Sequence, residues 1–158
     1  QAITLAYDTY GTVVDSNSKL VWKRYKSTQA SIDGIVPVTS GDSITNAVAA
    51  VSNYLGADFN AVSYMEQGHT AVETFDNIRG VHGISLTGIT YEKALSYVGD
   101  GSPVIARIGE DEYIIITAYN SSEIAYIEAS TGAQKTASMN EAGKMFSQGG
   151  NIYVTYYK

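Results

Sequence analysis

An α+β domain is what this sequence specifies, and three features carry that expectation. The first is a run of three short strand-like segments, Pro103–Ile108, Glu112–Tyr119 and Glu123–Glu128. Gly109-Glu110-Asp111 and Asn120-Ser121-Ser122 divide them, and such residues make the tight turns of an antiparallel meander. The second is the middle of these strands, Tyr113-Ile114-Ile115-Ile116-Thr117, which is β-branched and apolar on both faces. A strand with that pattern is covered on both sides. The third is segregation: helical periodicities gather before residue 99 instead of alternating with the strands. The rest of the chain is expected to pack on this meander.

One domain is the natural reading of 158 residues, a length that buries most of an unfolded chain's surface. A 44% hydrophobic and 16% charged composition is that of a folded protein. No apolar run approaches the roughly 20 residues that span a bilayer, and no signal-peptide pattern is present. Gln1 in place of Met leads to the expectation of a processed chain or a piece excised from a larger protein.

With no cysteine, the chain has no disulfide framework, thiolate metal site or thiol nucleophile. That absence fixes no compartment. A net charge of −6 argues against nucleic acid as a partner, because phosphate neutralisation needs Lys and Arg. Charge is uneven: residues 1–34 carry +1, with Lys19, Lys23, Arg24 and Lys26, and the remainder carries −7. The basic cluster reads as a solvated strand edge. Thirteen Tyr against three Phe, with abundant Thr, Ser, Asn and Gly, leans toward an extracellular or cell-surface domain.

In order along the chain, Ala2–Ala6 and Leu20–Tyr25 read as strands around a turn at residues 15–18, and residues 27–42 read as a loop. The first strong helix then opens, with Asp42 or Ser43 as cap. Ile44, Ala47, Val48, Val51 and Leu55 share one buried face, and Gly56 ends it. Of the two candidates, Ser43 is expected to be the cap. Shorter helices follow over Ala61–Gln67, from Thr70-Ala71-Val72-Glu73 to about Ile78, and over Tyr91–Val98. Val81–Leu86 is either a strand or a linker. After the meander come a strand near Ala133–Ala137, a helix from a second capping box at Ser138 to Ser147, and a strand over Asn151–Tyr157.

This order of motifs resembles the papain-like cysteine peptidases that process bacteriocins by removing double-glycine leaders. Their central helix opens with Cys-Gly-Pro and ends near Asn-Tyr-Leu-Gly; here the helix runs from Ser43 to Asn53-Tyr54-Leu55-Gly56. Their Gly-x-Pro-Val-Ile strand is matched by Gly101-Ser102-Pro103-Val104-Ile105. Their His-Tyr-Val-Val-Ile-Thr-Gly-Tyr-Asp strand is similar to Glu112–Asn120, and their Asp-Pro-x-x-Gly turn to Glu128–Gly132. The resemblance covers roughly residues 36–157 and implies a papain-like fold, with a central helix on an antiparallel sheet.

The departures fall on the chemistry. By this resemblance Ser43 stands at the nucleophile position, Glu112 at the general base and Glu128 at the orienting acid, so the three mark a vestigial cleft. No Gln lies between Ile35 and Asp42 to supply the oxyanion hole, and Gln29 is further upstream than the family's spacing. In such an enzyme, imidazole holds the thiol as thiolate. A carboxylate with a pKa of ~4 is too weak a base to activate a serine hydroxyl at neutral pH. The expectation is therefore a pseudo-peptidase with no catalytic residue, metal or cofactor, binding an extended peptide or another domain of the same protein. If Glu112 and Glu128 face each other, one pKa is expected to rise or a cation to bind between them. Two alternatives stand beside it: an active hydrolase pairing Ser43 with His69 or His82, and an architectural spacer with no ligand.

Overall fold

The computed structural model describes residues 30–158, so the expected strands Ala2–Ala6 and Leu20–Tyr25, the basic cluster and Gln29 lie outside the described residues. Its meander has the expected course. Strand β3 is Val104–Gly109, β4 is Glu112–Tyr119 and β5 is Glu123–Glu128, all antiparallel. Short β1 (Ala30–Ser31), β2 (His82–Thr87), β6 (Gln134–Ser138) and β7 (Ile152–Tyr157) complete the sheet. The order is β2-β7-β3-β4-β5-β6, with β1 pairing the far end of β4. Val81–Leu86, left open by the sequence, is thus resolved as a strand, held by β7 from the other end of the chain.

Helices cover both faces, as the apolar run in β4 requires. On one side lie α1 (Ser43–Tyr54), α2 (Ala61–Glu66) and α3 (Ala71–Asp76). Ala47, Val48 and Val51 of α1 and Phe75 of α3 pack there on Ile105, Ile115, Ile127 and Val154. On the other side, α4 (Tyr91–Gly99) and α5 (Met139–Gln148) bring Leu95, Val98 and Phe146 onto Val104, Ile114, Ile116 and Tyr153. Strand alternation explains the division: Ile115 points one way, and Ile114 and Ile116 the other.

Two details differ from the sequence reading. The periodicity of α1 gives it one buried face, yet Ala47 through Val51 are all buried, including Ala49 and Ala50. The reason is that α2 and α3 pack over α1, and its small side chains let them approach. The cap is also different. Asp42, not Ser43, is the N-cap: its carboxylate accepts from the Thr45 N–H at 3.0 Å. Ser43 is the first helical residue, which frees its hydroxyl for another use.

Close approach fixes two glycines. A Cβ on Gly149, just after α5, would run into the Arg107 carbonyl, whose own guanidinium donates to the Gly149 carbonyl at 3.1 Å. A Cβ on Gly83 would lie 2.6 Å from the Val72 carbonyl oxygen, so only glycine lets α3 sit this close to β2.

Candidate functional site

Three segments meet at the N-terminus of α1, and they are those the resemblance brings together: Ser43, the start of β4 and the end of β5. Ser43 is buried. Its Oγ accepts from the Tyr113 N–H at 2.8 Å and donates to the Tyr113 carbonyl at 3.4 Å. One turn along the helix, the buried Asn46 donates from Nδ2 to the Ala129 carbonyl at 3.0 Å and accepts from the Gly41 N–H at 2.7 Å.

The sheet register explains why these partners are main chain. Ile114 pairs with Glu128 and Ile115 with Ile127, so the next pair outward is Tyr113 with Ala129. In an antiparallel ladder that pair exchanges two bonds. One is made, from the Ala129 N–H to the Tyr113 carbonyl at 3.1 Å. The second is replaced: Ser43 takes the Tyr113 N–H, and Asn46 takes the Ala129 carbonyl. Positions i and i+3 share a helix face, so one turn of α1 finishes the ladder. Every buried polar group at this junction thereby finds a partner.

The carboxylates stand elsewhere. Tyr113 and Ile115 belong to the α1 side, so alternation sets Glu112 on the opposite face, where it is exposed. Ile127 and Ala129 likewise belong to the α1 side, and Glu128 falls on the face of Ile124 and Tyr126. Glu128 bonds Lys135 Nζ at 2.8 Å and the Thr131 hydroxyl at 2.8 Å. Both bonds hold its carboxyl below the usual carboxylate range, the Lys135 bond most of all. The expectation of a raised carboxyl at a facing pair is corrected here for Glu128: its partner is a lysine, and its shift is downward.

Neither histidine reaches Ser43. His69 stacks on Tyr64 with ring centroids 3.8 Å apart, and its Nδ1 lies 3.7 Å from Glu73 Oε1. His82 stacks on Tyr157 at the far edge of the sheet. Three strand spacings, about 14 Å of sheet, separate β2 from β4, whose Tyr113 supplies both hydrogen-bond partners of the Ser43 hydroxyl. The pairing of Ser43 with either histidine is therefore not formed. Among the described residues no group of three His, Cys, Asp or Glu could hold a metal ion, and no helix is long and apolar enough to cross a membrane.

An open cavity of about 510 Å³ lies on the α1 side of the sheet, beyond this junction. The extended segment Ser31–Ile35 forms one wall, and Ala125 and Ile127 of β5 with Gln134 and Thr136 of β6 form its floor. The sequence does not reveal it, because segment 27–42 carries no motif. Asn46 was equally hidden, although an amide amid the alanines of a buried helix is a signal that something polar faces it.

No family model matches the sequence, and no curated protein matches it. A solved structure does: a Bacillus anthracis protein assigned as a C39-like peptidase. The TM-score is 0.65 at 12% identity, and the match covers 82% of this chain and 98% of that one. At that identity the likeness concerns the fold alone. Its layers of helix and antiparallel sheet give this chain the α+β fold of a C39-like peptidase.

Proposed function

We propose that this chain is a catalytically inert peptidase-like domain, serving as a peptide- or protein-binding or structural module of a bacterial surface or membrane-associated protein. One observation carries the reading. The hydroxyl at the nucleophile position is buried and engaged on both sides by the main chain of Tyr113, with no imidazole among its partners. A serine nucleophile needs a base that takes its proton. Here that proton is directed to a carbonyl oxygen, which is no base. Glu112 and Glu128, which the resemblance sets at the positions of base and acid, fall by strand alternation on the opposite face of the sheet. Binding does not need a nucleophile, because main-chain pairing along a strand edge holds an extended segment by itself. The Tyr-, Thr- and Ser-rich composition supports the surface assignment.

The test is incubation of the purified chain with a mixed peptide library and with double-glycine leader peptides, read by mass spectrometry. The reading predicts no cleavage above a buffer control. Turnover that Ser43→Ala abolishes would establish the hydrolase instead.

A further inference from the structure

We propose that the open face of β4–β6 is the seat of this chain's own segment Leu20–Tyr25, with the Trp22 indole in the cavity beside Ser31–Ile35. The proposal goes beyond the reading above and does not rest on it. The helices of the α1 side pack on β2, β4 and β7, and toward β6 that face of the sheet is left to the segment Ser31–Ile35. Ala118 and Ala125 pair across β4 and β5, and Ala125 pairs with Thr136 of β6. Ile127 belongs to the α1 side, so alternation sets Ala125 and its partners there too. Side chains this small leave a shallow bed in the sheet surface. Two cavities, of about 510 and about 400 Å³, meet over it, both lined by Ser31, Ala118 and Ala125. Ala118 and Ala125 are only half-buried, and Thr136 is exposed.

Three observations name the occupant. Position comes first: Ala30 and Ser31, where residues 1–29 join the described chain, themselves line these cavities. The stretch Lys23–Gln29 spans at most about 25 Å when extended, and β6 lies about 10 Å from β4, so Trp22 can reach the whole bed. Chemistry comes second. In the strand that Leu20–Tyr25 predicts, Leu20 and Trp22 share one face, and a tryptophan ring buries roughly 150–250 Å² where it finds a bed of small residues. Charge is third: residues 1–29 carry a net of +2 and residues 30–158 a net of −8, so the two parts attract. A tethered segment also outcompetes a free peptide, because a short linker holds it near the bed at an effective concentration of about millimolar.

Trp22 is the chain's only tryptophan and the chain has no cysteine, so fluorescence reads a single indole and an introduced thiol is unique. In the unaltered folded chain, Trp22 emission is expected to lie to the blue of that of the urea-unfolded chain, and acrylamide is expected to quench it at least five-fold less. Emission at the unfolded position with full quenching would overturn the proposal. The place is read from Thr136→Cys, an exposed position on the cavity floor, carrying either a nitroxide or its diamagnetic analogue. The nitroxide should at least halve Trp22 emission relative to the analogue. The same pair of labels on Ser85→Cys, exposed on β2 at the opposite edge of the sheet, should leave emission unchanged. A red shift on attaching the analogue at Thr136 but not at Ser85, with circular dichroism unchanged, reports the same contact by displacement of the segment. If the Thr136 variant does not fold, Gln134→Cys, also exposed on the floor, takes its place. Equal effects at the floor and at Ser85, or no effect at the floor, would overturn the proposal.

Discussion

The side-chain amide of Asn46 donates to the Ala129 carbonyl across 3.0 Å, bridging residues 83 positions apart in the chain. Ala129 would otherwise present that carbonyl to Tyr113, whose N–H has gone to Ser43. The first turn of α1 is thus part of the sheet's hydrogen bonding.

Asn46→Ala removes both of its bonds and leaves the Gly41 N–H and the Ala129 carbonyl without a partner. Each unsatisfied buried group costs about 1–3 kcal/mol; Ala129 is buried and Gly41 only half-buried, so a total in the lower half of about 2–6 kcal/mol is expected. Urea unfolding with an unchanged m-value would measure it, and a loss below roughly 0.5 kcal/mol would show the junction to be dispensable.

Ser43→Ala and Asp42→Ala separate two roles that the sequence had merged. Asp42→Ala removes the helix cap and should cost about 1 kcal/mol. Ser43→Ala strands the Tyr113 N–H inside the protein and should cost about 1–3 kcal/mol. Amide exchange distinguishes them further. Faster exchange at Tyr113 is expected for the Ser43 variant only, and the same change in both variants would contradict the assignment.

Tyr153 is buried in the second core, and its hydroxyl has no hydrogen-bond partner. Burial pushes its phenol up to about 12, so it stays neutral across the working range. Tyr153→Phe removes a desolvated hydroxyl and keeps the ring contact with Phe146. Stability should be unchanged or higher by up to about 1 kcal/mol, by thermal or urea unfolding. A clear loss would show that the hydroxyl has a bound partner such as water.

Glu128 gives a pH signature. Its carboxyl is depressed by Lys135 and Thr131, so its contribution is fully present above the unfolded value of about 4.3. It is lost as pH falls through the lower folded value. Glu128→Gln should therefore lower the Tm slightly at pH 7, and the difference should vanish in strong acid. High salt should shrink it as well, because the pair lies near the surface. A difference that grows as pH falls would reverse the sign and refute the Lys135 pairing.

The legible parts of the fold were those written in local pattern. β4 and β5 have the boundaries their apolar runs predict, and the capping boxes at Thr70 and Ser138 open their helices as expected. β2 stayed ambiguous because Gly83 interrupts its alternation and its partner β7 lies some 70 residues on. β1 is two residues long and exists only through β4. The order of motifs names the three segments that meet at the start of α1, but not the side chains that join them. Asp42 and Ser43 are both good capping types, and it is the bond from the Thr45 N–H to the Asp42 carboxylate that decides between them, while Ser43 turns to Tyr113. The resemblance matches Glu112 and Glu128 to the base and acid by sequence position alone, and strand alternation sets both on the other face.

The most direct measurement is covalent labelling at the α1 junction. The folded chain is treated with a fluorophosphonate probe at neutral pH, and intact mass and peptide mapping then locate any adduct. A hydroxyl held between the N–H and carbonyl of Tyr113, with no imidazole to take its proton, should not react, so no adduct is predicted at Ser43. A stoichiometric adduct on Ser43, not formed when the chain is heat-denatured before labelling and absent from Ser43→Ala, would contradict the account.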